Sequence, residues 1–378
     1  MKILLVGVSV RAMAASAVKS GYNVVALDAF GDLDLQALCE GYSLQRDFHQ
    51  AYSAKGLYQA SQKLQFEGVA YTANFENYPK LVEAFSQHKQ LLGNPPDVLK
   101  RVRNWSKLFE VLNKAGFRTP ETWYSLNGRQ PDPQRNWLQK PRRGGGGQHV
   151  QVWKEGQSMG RGMLLQEQIE GRVCSAQFVA NGKEAVLLSL TEQLVGRSEF
   201  GAQGFMYCGN ILPLPEVSED AAILDQARQI VNLLTREFAL VGLNGMDFIL
   251  SKGEILPIEI NPRFTAAMEL VESAYGLPIF DLHMKALSQG ELPEFNLGKA
   301  KQPTKKYFAK TILYAEKDGW APNTEAWMER GLRDVPHPGE RLVQGKPICT
   351  ILTSADTPAD CLADLINQAE AIQGEIND

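Results

Sequence analysis

An α/β architecture that opens on a helix-covered parallel sheet and closes on a small β-rich segment is predicted by three observations. Roughly the first ninety residues alternate strand-like and helix-like runs, the mark of βαβ units. The middle of the chain pairs strand runs around turn residues such as Asn181-Gly182 and Ser251-Lys252-Gly253. Beyond about residue 300 the runs are mostly strand-like and end in a helix. For 378 residues, at roughly 100–200 per domain, two or three domains are expected.

The elements follow in order. Ile3 to Val8 reads as a buried strand, Ala12 to Ser20 as a helix stopped by Gly21, and Val24 to Leu27 as the next strand, closed by Asp28. The turn Gly7-Val8-Ser9-Val10-Arg11 lacks a G-x-G-x-x-G fingerprint, so the first domain is expected to face substrate rather than a dinucleotide. Arg11 is then either an anion contact beside a helix N-terminus or a solvated loop residue. Val69 to Thr72 is a strand, and Asn74, Glu76 and Asn77 after it are candidates for a second substrate. Gly93-Asn94-Pro95-Pro96 marks the first boundary, giving domains at 1–93, 94–300 and 301–378. Helical periodicity runs from Val98 to Ala115. Strands at Trp137 to Lys140 and His149 to Val152 flank the run Gly144-Gly145-Gly146-Gly147. Cys174 to Ala180 and Ala185 to Leu190 form a pair, Ala221 to Phe238 a long amphipathic helix, and Gly245 to Leu250 with Ile255 to Ile260 a hairpin. Phe308 to Tyr314, Ile348 to Leu352 and the helix Pro358 to Ile372 complete the chain.

Composition removes several function classes. A formal net charge of −4 does not suit a nucleic-acid surface. No run approaches the roughly 20 apolar residues that cross a bilayer, and the apolar start is too short for a secretory signal. Five scattered cysteines without paired spacing read as free thiols in a reducing compartment, so a cytoplasmic location is expected. Cys349 in an apolar strand and His337 between two prolines read as structural.

The chemistry concentrates in the hairpin. Glu259 and Asn261 are two apart on a strand and share a face, and Asp247 on the partner strand can oppose them. Two carboxylates and an amide oxygen amid apolar residues make a hard oxygen set suited to Mg²⁺ shared with phosphates. Lys140 at a strand end, followed by Gly144, Gly145, Gly146 and Gly147, suits phosphate binding: a point charge beside backbone N–H groups that can approach closely. Arg263 is a candidate to steady a phosphoryl group, with an ion pair to Glu269 or Glu272 as the plain alternative.

These motifs together resemble the ATP-grasp superfamily. Glu259-Ile260-Asn261-Pro262-Arg263 with Asp247 looks like its metal hairpin, and Lys140-Pro141-Arg142-Arg143 with the four glycines looks like its lysine strand and phosphate-covering loop. Leu164 to Gly171 looks like its adenine hinge, with Gln166, Glu167 and Ile169 as the contacts. The resemblance implies a Rossmann-like first domain, a central ATP-grasp domain whose ATP-binding subdomain spans about 117–170, and a β-rich C-terminal domain. It further implies ATP with Mg²⁺, or Mn²⁺ as the alternative, a small-molecule carboxylate and amine as substrates, and a homodimer as the candidate assembly. Two positions depart from the pattern. Asn104-Trp105 stands where many members have Asp-Lys, leaving Arg101, Arg103 or Lys107 to supply the cation, and Val173 stands where a ribose-binding acid is frequent.

Gln166 to Gly171, Thr191 to Gly196 and Gly242 to Asp247 resemble the branch that holds tyramine–glutamate ligases, which couple a carboxylate to an amine through an acyl phosphate. Val335 to Glu340 and Gly345 to Thr350 instead look like the C-terminal domain of purine-synthesis members and biotin carboxylases. A carboxylate–amine ligase is the reading carried forward, with a carboxylase or purine-type enzyme and a non-catalytic ATP-binding subunit as the alternatives.

Overall fold

In the computed structural model, which describes residues 1–215, 220–300 and 307–377, the chain builds three sheets of consequence. The first is wholly parallel, with Lys2–Val6 at its centre. Asn23–Asp28 and then Glu40–Ser43 lie on one side of it, and Gly68–Tyr71 and Gln90–Leu91 on the other. The order reverses at the central strand, and open α/β sheets bind ligands beyond the strand ends at such a switch. The helix Arg11–Lys19 buries Met13, Ala14 and Ala17 and ends at Ser20, with Gly21 at φ +82°.

A four-stranded antiparallel sheet follows, ordered Thr122–Trp123, Met163–Glu167, Trp137–Pro141, Gln151–Trp153. The largest sheet is a seven-stranded antiparallel one. From the Glu254–Asn261 edge it runs through Val241–Ser251, Arg172–Asn181, Ala185–Val195, Tyr207–Leu212 and Tyr307–Tyr314 to Pro347–Ala355. The C-terminal strands therefore extend the central sheet. The expected boundary between residues 300 and 301 adjoins 301–306, which lie outside the described residues.

One face of the large sheet is covered by Ala221–Phe238, whose Ile223, Ala227, Ile230, Val231, Leu234 and Phe238 recur at helical spacing. Asp220 caps this helix by accepting from the Ala222 and Ile223 N–H groups. The other face meets the helices Met268–Tyr275 and Ile279–Ser288, which share a core with Arg11–Lys19. One apolar cluster thus joins the parallel sheet to the large one.

Two expectations are corrected here. The run from Val98 to Ala115 is two helices, Pro96–Val102 and Trp105–Lys114, because Asn104 breaks the first and caps the second by accepting from Lys107 N–H. Arg11 is neither an anion contact nor a solvated loop residue. It is 1% exposed, and it pairs with Glu269, with Asp334 at 3.1 Å and with Asp34 at 3.4 Å. Lys310 reaches the other oxygen of Glu269 at 2.6 Å. Asp28, which closes the second strand, has a buried carboxylate that accepts from the Val10, Phe30 and Gly31 N–H groups. The cysteines are free, with only Cys39 partly exposed, and among the described residues no helix is long and apolar enough to cross a membrane.

His283 ties the first domain to the metal hairpin strand. Its Nδ1 accepts from Leu243 N–H at 3.0 Å, which leaves Nε2–H to donate to the Leu92 carbonyl at 3.2 Å. Gly242, at φ +64°, permits this approach, since a Cβ there would lie 2.4 Å from the ring nitrogen. Burial pushes the imidazole down from 6.5 to about 4. The folded chain thus holds the ring neutral where the unfolded chain would protonate it, and stability falls as pH drops from 6.5 towards 4. Between pH 7 and pH 5 this loss is about 2 kcal/mol. Urea unfolding of wild type and His283→Gln checks it: the pH-dependent part should shrink in the variant, and an identical loss in both would assign it elsewhere.

Candidate active site

The hairpin positions the acids as strand alternation requires. Asp247 sits directly opposite Glu259, and Gly245 opposite Asn261, with a bulge just after Asp247. The turn is made by Lys252 and Gly253, both at positive φ. Asn261 Nδ2 donates to Asp247 Oδ2 at 2.9 Å, and Gln193 Nε2, two strands away, donates to Asp247 Oδ1 at 2.8 Å. Burial first, and then the neighbouring Glu259 charge, push the Asp247 carboxyl up to about 7. Two half-buried carboxylates side by side repel one another, and a cation between them would relieve that.

Lys140, at the end of its strand, stands 4.8 Å above the Trp105 ring. Burial lowers its ammonium to about 8, against the pull of Glu259 and Asp247. Arg103, paired with Glu259 and donating to the Gly144 carbonyl at 3.1 Å, brings the Asp247–Glu259 hairpin and the loop after Lys140 to one cleft. Trp105, found where a lysine is frequent, props Lys140 and donates its indole N–H to the Arg142 carbonyl at 3.2 Å, fixing the root of the glycine loop. Arg142 adds bonds to the Tyr124 and Met163 carbonyls.

The four glycines of the loop are not equivalent. The Gly144 carbonyl accepts from Arg103 at 3.1 Å and Asn77 at 3.4 Å, and the Gly146 carbonyl accepts from Tyr207 N–H at 3.0 Å. A Cβ on Gly147 would sit 1.7 Å from the Phe205 carbonyl oxygen, so only glycine fits there. Gly145 is placed differently from Gly147. It is exposed, a Cβ there would meet nothing within 4 Å, and its carbonyl accepts from Gln148 N–H at 3.4 Å, inside the loop itself. No close approach requires glycine at 145 in this state. In the hinge, Gln166 is buried and donates to Thr122 Oγ1 at 3.1 Å. The Glu167 carboxylate accepts from Glu121 N–H at 3.2 Å and lies 3.5 Å from Arg135. Both side chains are engaged, and so is the local backbone: Glu167 N–H donates to the Glu121 carbonyl at 2.9 Å and Gln168 N–H to the Asn136 carbonyl at 2.8 Å.

The plain alternative for Arg263 named the wrong acids. Its Nε donates to Glu76 of the first domain at 2.8 Å, while Glu269 pairs with Arg11 and Lys310, and Glu272 with Ser16 and Lys19. Of the three stand-in cations, Arg101 turns to the Phe238 carbonyl and Asp97, and Lys107 lies exposed. Arg103 enters the cleft and pairs with Glu259. Asn77 accepts from Arg103 Nε at 2.9 Å, so Glu76 and Asn77 both join the site. Sequence spacing alone offered no signal for these pairings, which join residues 26, 156 and 187 positions apart.

Residues 102–267 match the family model of the ATP-grasp domain. An uncharacterized protein of Methanocaldococcus jannaschii is 22% identical over 371 residues, covering 93% of this chain and 88% of that one. N5-carboxyaminoimidazole ribonucleotide synthetase from Thermus thermophilus superposes with a TM-score of 0.68 at 17% identity, covering 98% of each chain. The L-amino acid ligase from Bacillus licheniformis gives the same score, identity and coverage. At these identities the solved structures show the fold alone, an ATP-grasp fold, and the family match is to residues 102–267. ATP and Mg²⁺ are the cofactors such a domain takes. Among the described residues no group of three His, Cys, Asp or Glu could hold a metal alone. Two carboxylates and an amide fit Mg²⁺ when phosphate and water complete its shell.

Two substitutions test the cleft. Asp247→Asn or Glu259→Gln should leave the fold intact and reduce magnesium-dependent ADP formation at least a hundredfold, about 3 kcal/mol, by removing a fixed charge at the metal. Wild-type turnover in either variant would remove the hairpin from the metal site. Lys140→Ala should weaken ATP binding roughly tenfold through the loss of one charge-assisted contact; calorimetry that finds equal affinity would make Lys140 structural.

Proposed function

We propose that the protein is an ATP-dependent ligase that joins a small carboxylate to an amine, releasing ADP and phosphate through an acyl phosphate. The observation that carries the reading is a single cleft in which Lys140 and the glycine loop face Asp247, Glu259 and Asn261, with Arg263 linking that set to Glu76. Lys140 and the loop N–H groups suit the terminal phosphates. Asp247, Glu259 and Asn261 would hold Mg²⁺, which supplies charge neutralisation as the terminal phosphoryl group transfers. The Glu167–Ile169 main chain would hold adenine.

Arg263 is suited to orient the incoming carboxylate and to steady the acyl phosphate, since a fixed guanidinium matches oxygens that carry developing charge. Its Glu76 partner belongs to the loop after Gly68–Tyr71, so the amine is assigned to the mouth formed by Asn74, Glu76 and Asn77. The glycine loop, closed over the cleft, would shield the acyl phosphate from water, and closure is the movement that would carry Gly145 inward to the phosphates. In this reading residues 1–93 carry the acceptor side, 94–300 the nucleotide and 301–378 the sheet extension. The finer assignment is the branch similar to tyramine–glutamate ligases. A homodimer working in the cytoplasm completes the proposal.

A second reading is favoured by the full-length likeness to N5-carboxyaminoimidazole ribonucleotide synthetase and by the C-terminal motifs: activation of bicarbonate in place of an organic acid. One set of assays separates the two. ADP release scanned over amines and acids, with and without bicarbonate, should depend on an organic acid and an amine. Heavy oxygen placed in that acid's carboxylate should then appear, one atom per turnover, in inorganic phosphate. Label in AMP would mean adenylation, and strict dependence on bicarbonate would favour the second reading.

A further inference from the structure

Arg103 is the most heavily engaged cation in the cleft. It closes the helix Pro96–Val102, and its side chain is 10% exposed. The guanidinium meets three separate parts of the molecule: the metal-hairpin acid Glu259, the acceptor-loop residue Asn77 and the Gly144 carbonyl at the start of the phosphate loop. A planar fork with five donors holds such acceptors in a fixed geometry, whereas an ammonium offers three donors from a single point. Burial lowers the affinity of this group for its proton, but Glu259 foremost among its neighbours more than restores it, so the cation is permanent.

Arg103 holds one Glu259 oxygen, Oε1, and that oxygen cannot at the same time serve a hard cation in the same way. An oxygen that lies against a guanidinium is occupied by its positive charge, and Mg²⁺ would have to displace it. A guanidinium released there is left beside the glycine loop, and the acceptors that arrive with the metal are phosphate oxygens. The nearby position where a lysine is frequent holds Trp105, which props Lys140 and carries no charge.

We propose that Arg103 is an exchangeable counter-ion: it holds Glu259 and latches the glycine loop in the nucleotide-free protein, then exchanges Glu259 for the triphosphate when Mg·ATP binds. Asn77 keeps its hold on the guanidinium through the exchange and so ties the acceptor loop to the state of the nucleotide site. The inference rests on the nucleotide and metal assignments above and adds to them the residue that supplies the second phosphate-binding cation.

The exchange makes two predictions of opposite sign. In Arg103→Met, Mn²⁺ without nucleotide, followed by electron paramagnetic resonance, should bind more tightly than to wild type because Glu259 is free. Mg·ATP, followed by calorimetry, should bind roughly ten- to a hundredfold more weakly because a charge-assisted phosphate contact is gone. Without nucleotide, trypsin should cleave faster after the exposed Arg142 and Arg143, at the loop root, than in wild type. Arg103→Lys should recover part of the Mg·ATP affinity while leaving the loop open to trypsin, and it keeps the charge should the methionine variant fold poorly. Unfolding or a general structural role would weaken both metal and nucleotide binding, and that result overturns the proposal. Wild-type Mg·ATP affinity in both variants overturns it as well. These readouts need neither the acid nor the amine, so a failure of the ligase reading, seen as label in AMP, would leave them standing.

Discussion

The arrangement of the whole molecule depends on one buried ion cluster. Arg11 comes from the first sheet's leading helix, Glu269 from the helix after the metal hairpin, Asp334 from the C-terminal segment and Lys310 from a strand of the large sheet. Taking such charges out of water is costly, and removing one partner leaves the others unpaired. Burial raises the Glu269 carboxyl, yet Arg11 and Lys310 together hold it well below the usual carboxylate range. Arg11 and Lys310 thus favour the ionised form of Glu269. Further contacts run alongside: Leu33 N–H to the Val335 carbonyl at 2.9 Å, and His337 to the Gly31 carbonyl at 3.0 Å. The first and last segments are clamped together around the central one.

That clamp sets the cleft. Glu269 follows Arg263 by six positions, so fixing its helix against Arg11 also fixes the distance from Arg263 to the loop that carries Glu76. Three cations, Arg103, Lys140 and Arg263, then face three acids, Asp247, Glu259 and Glu76. The raised Asp247 and the lowered Lys140 share a cause, since burial favours the neutral form of each. A polyanion and its metal entering together would supply both with the opposite charge that burial has withheld.

Much of the site was legible because it is local. Period-two alternation put Glu259 and Asn261 on one face, and the Gly253 turn set the register that brings Asp247 opposite. The helix Ala221–Phe238 announced itself by its apolar stripe, and the parallel opening by its alternation. What escaped was long in range. A lone Arg11 near a helix start gives no hint of partners 258 and 323 positions away. The Arg263–Glu76 pair and the joining of Tyr307–Tyr314 to Tyr207–Leu212 are likewise facts of packing, with no periodicity to betray them. A run of identical residues hides its own differences in the same way: nothing in four glycines says that Gly147 is hemmed in by Phe205 while Gly145 stands open. The break at Asn104 was local and could have been read: an Asn within a helical run is as good a cap as it is an interior residue.

The glycine loop has a consequence for how this cleft opens. Its root is tied down by Trp105 and Arg142, and its far end rests on Phe205 with no room for even a methyl group. Arg143, Gly144, Gly145 and Gly146 lie between those moorings, a contour of about 14 Å when fully stretched. A door on so short a strap opens by a small swing.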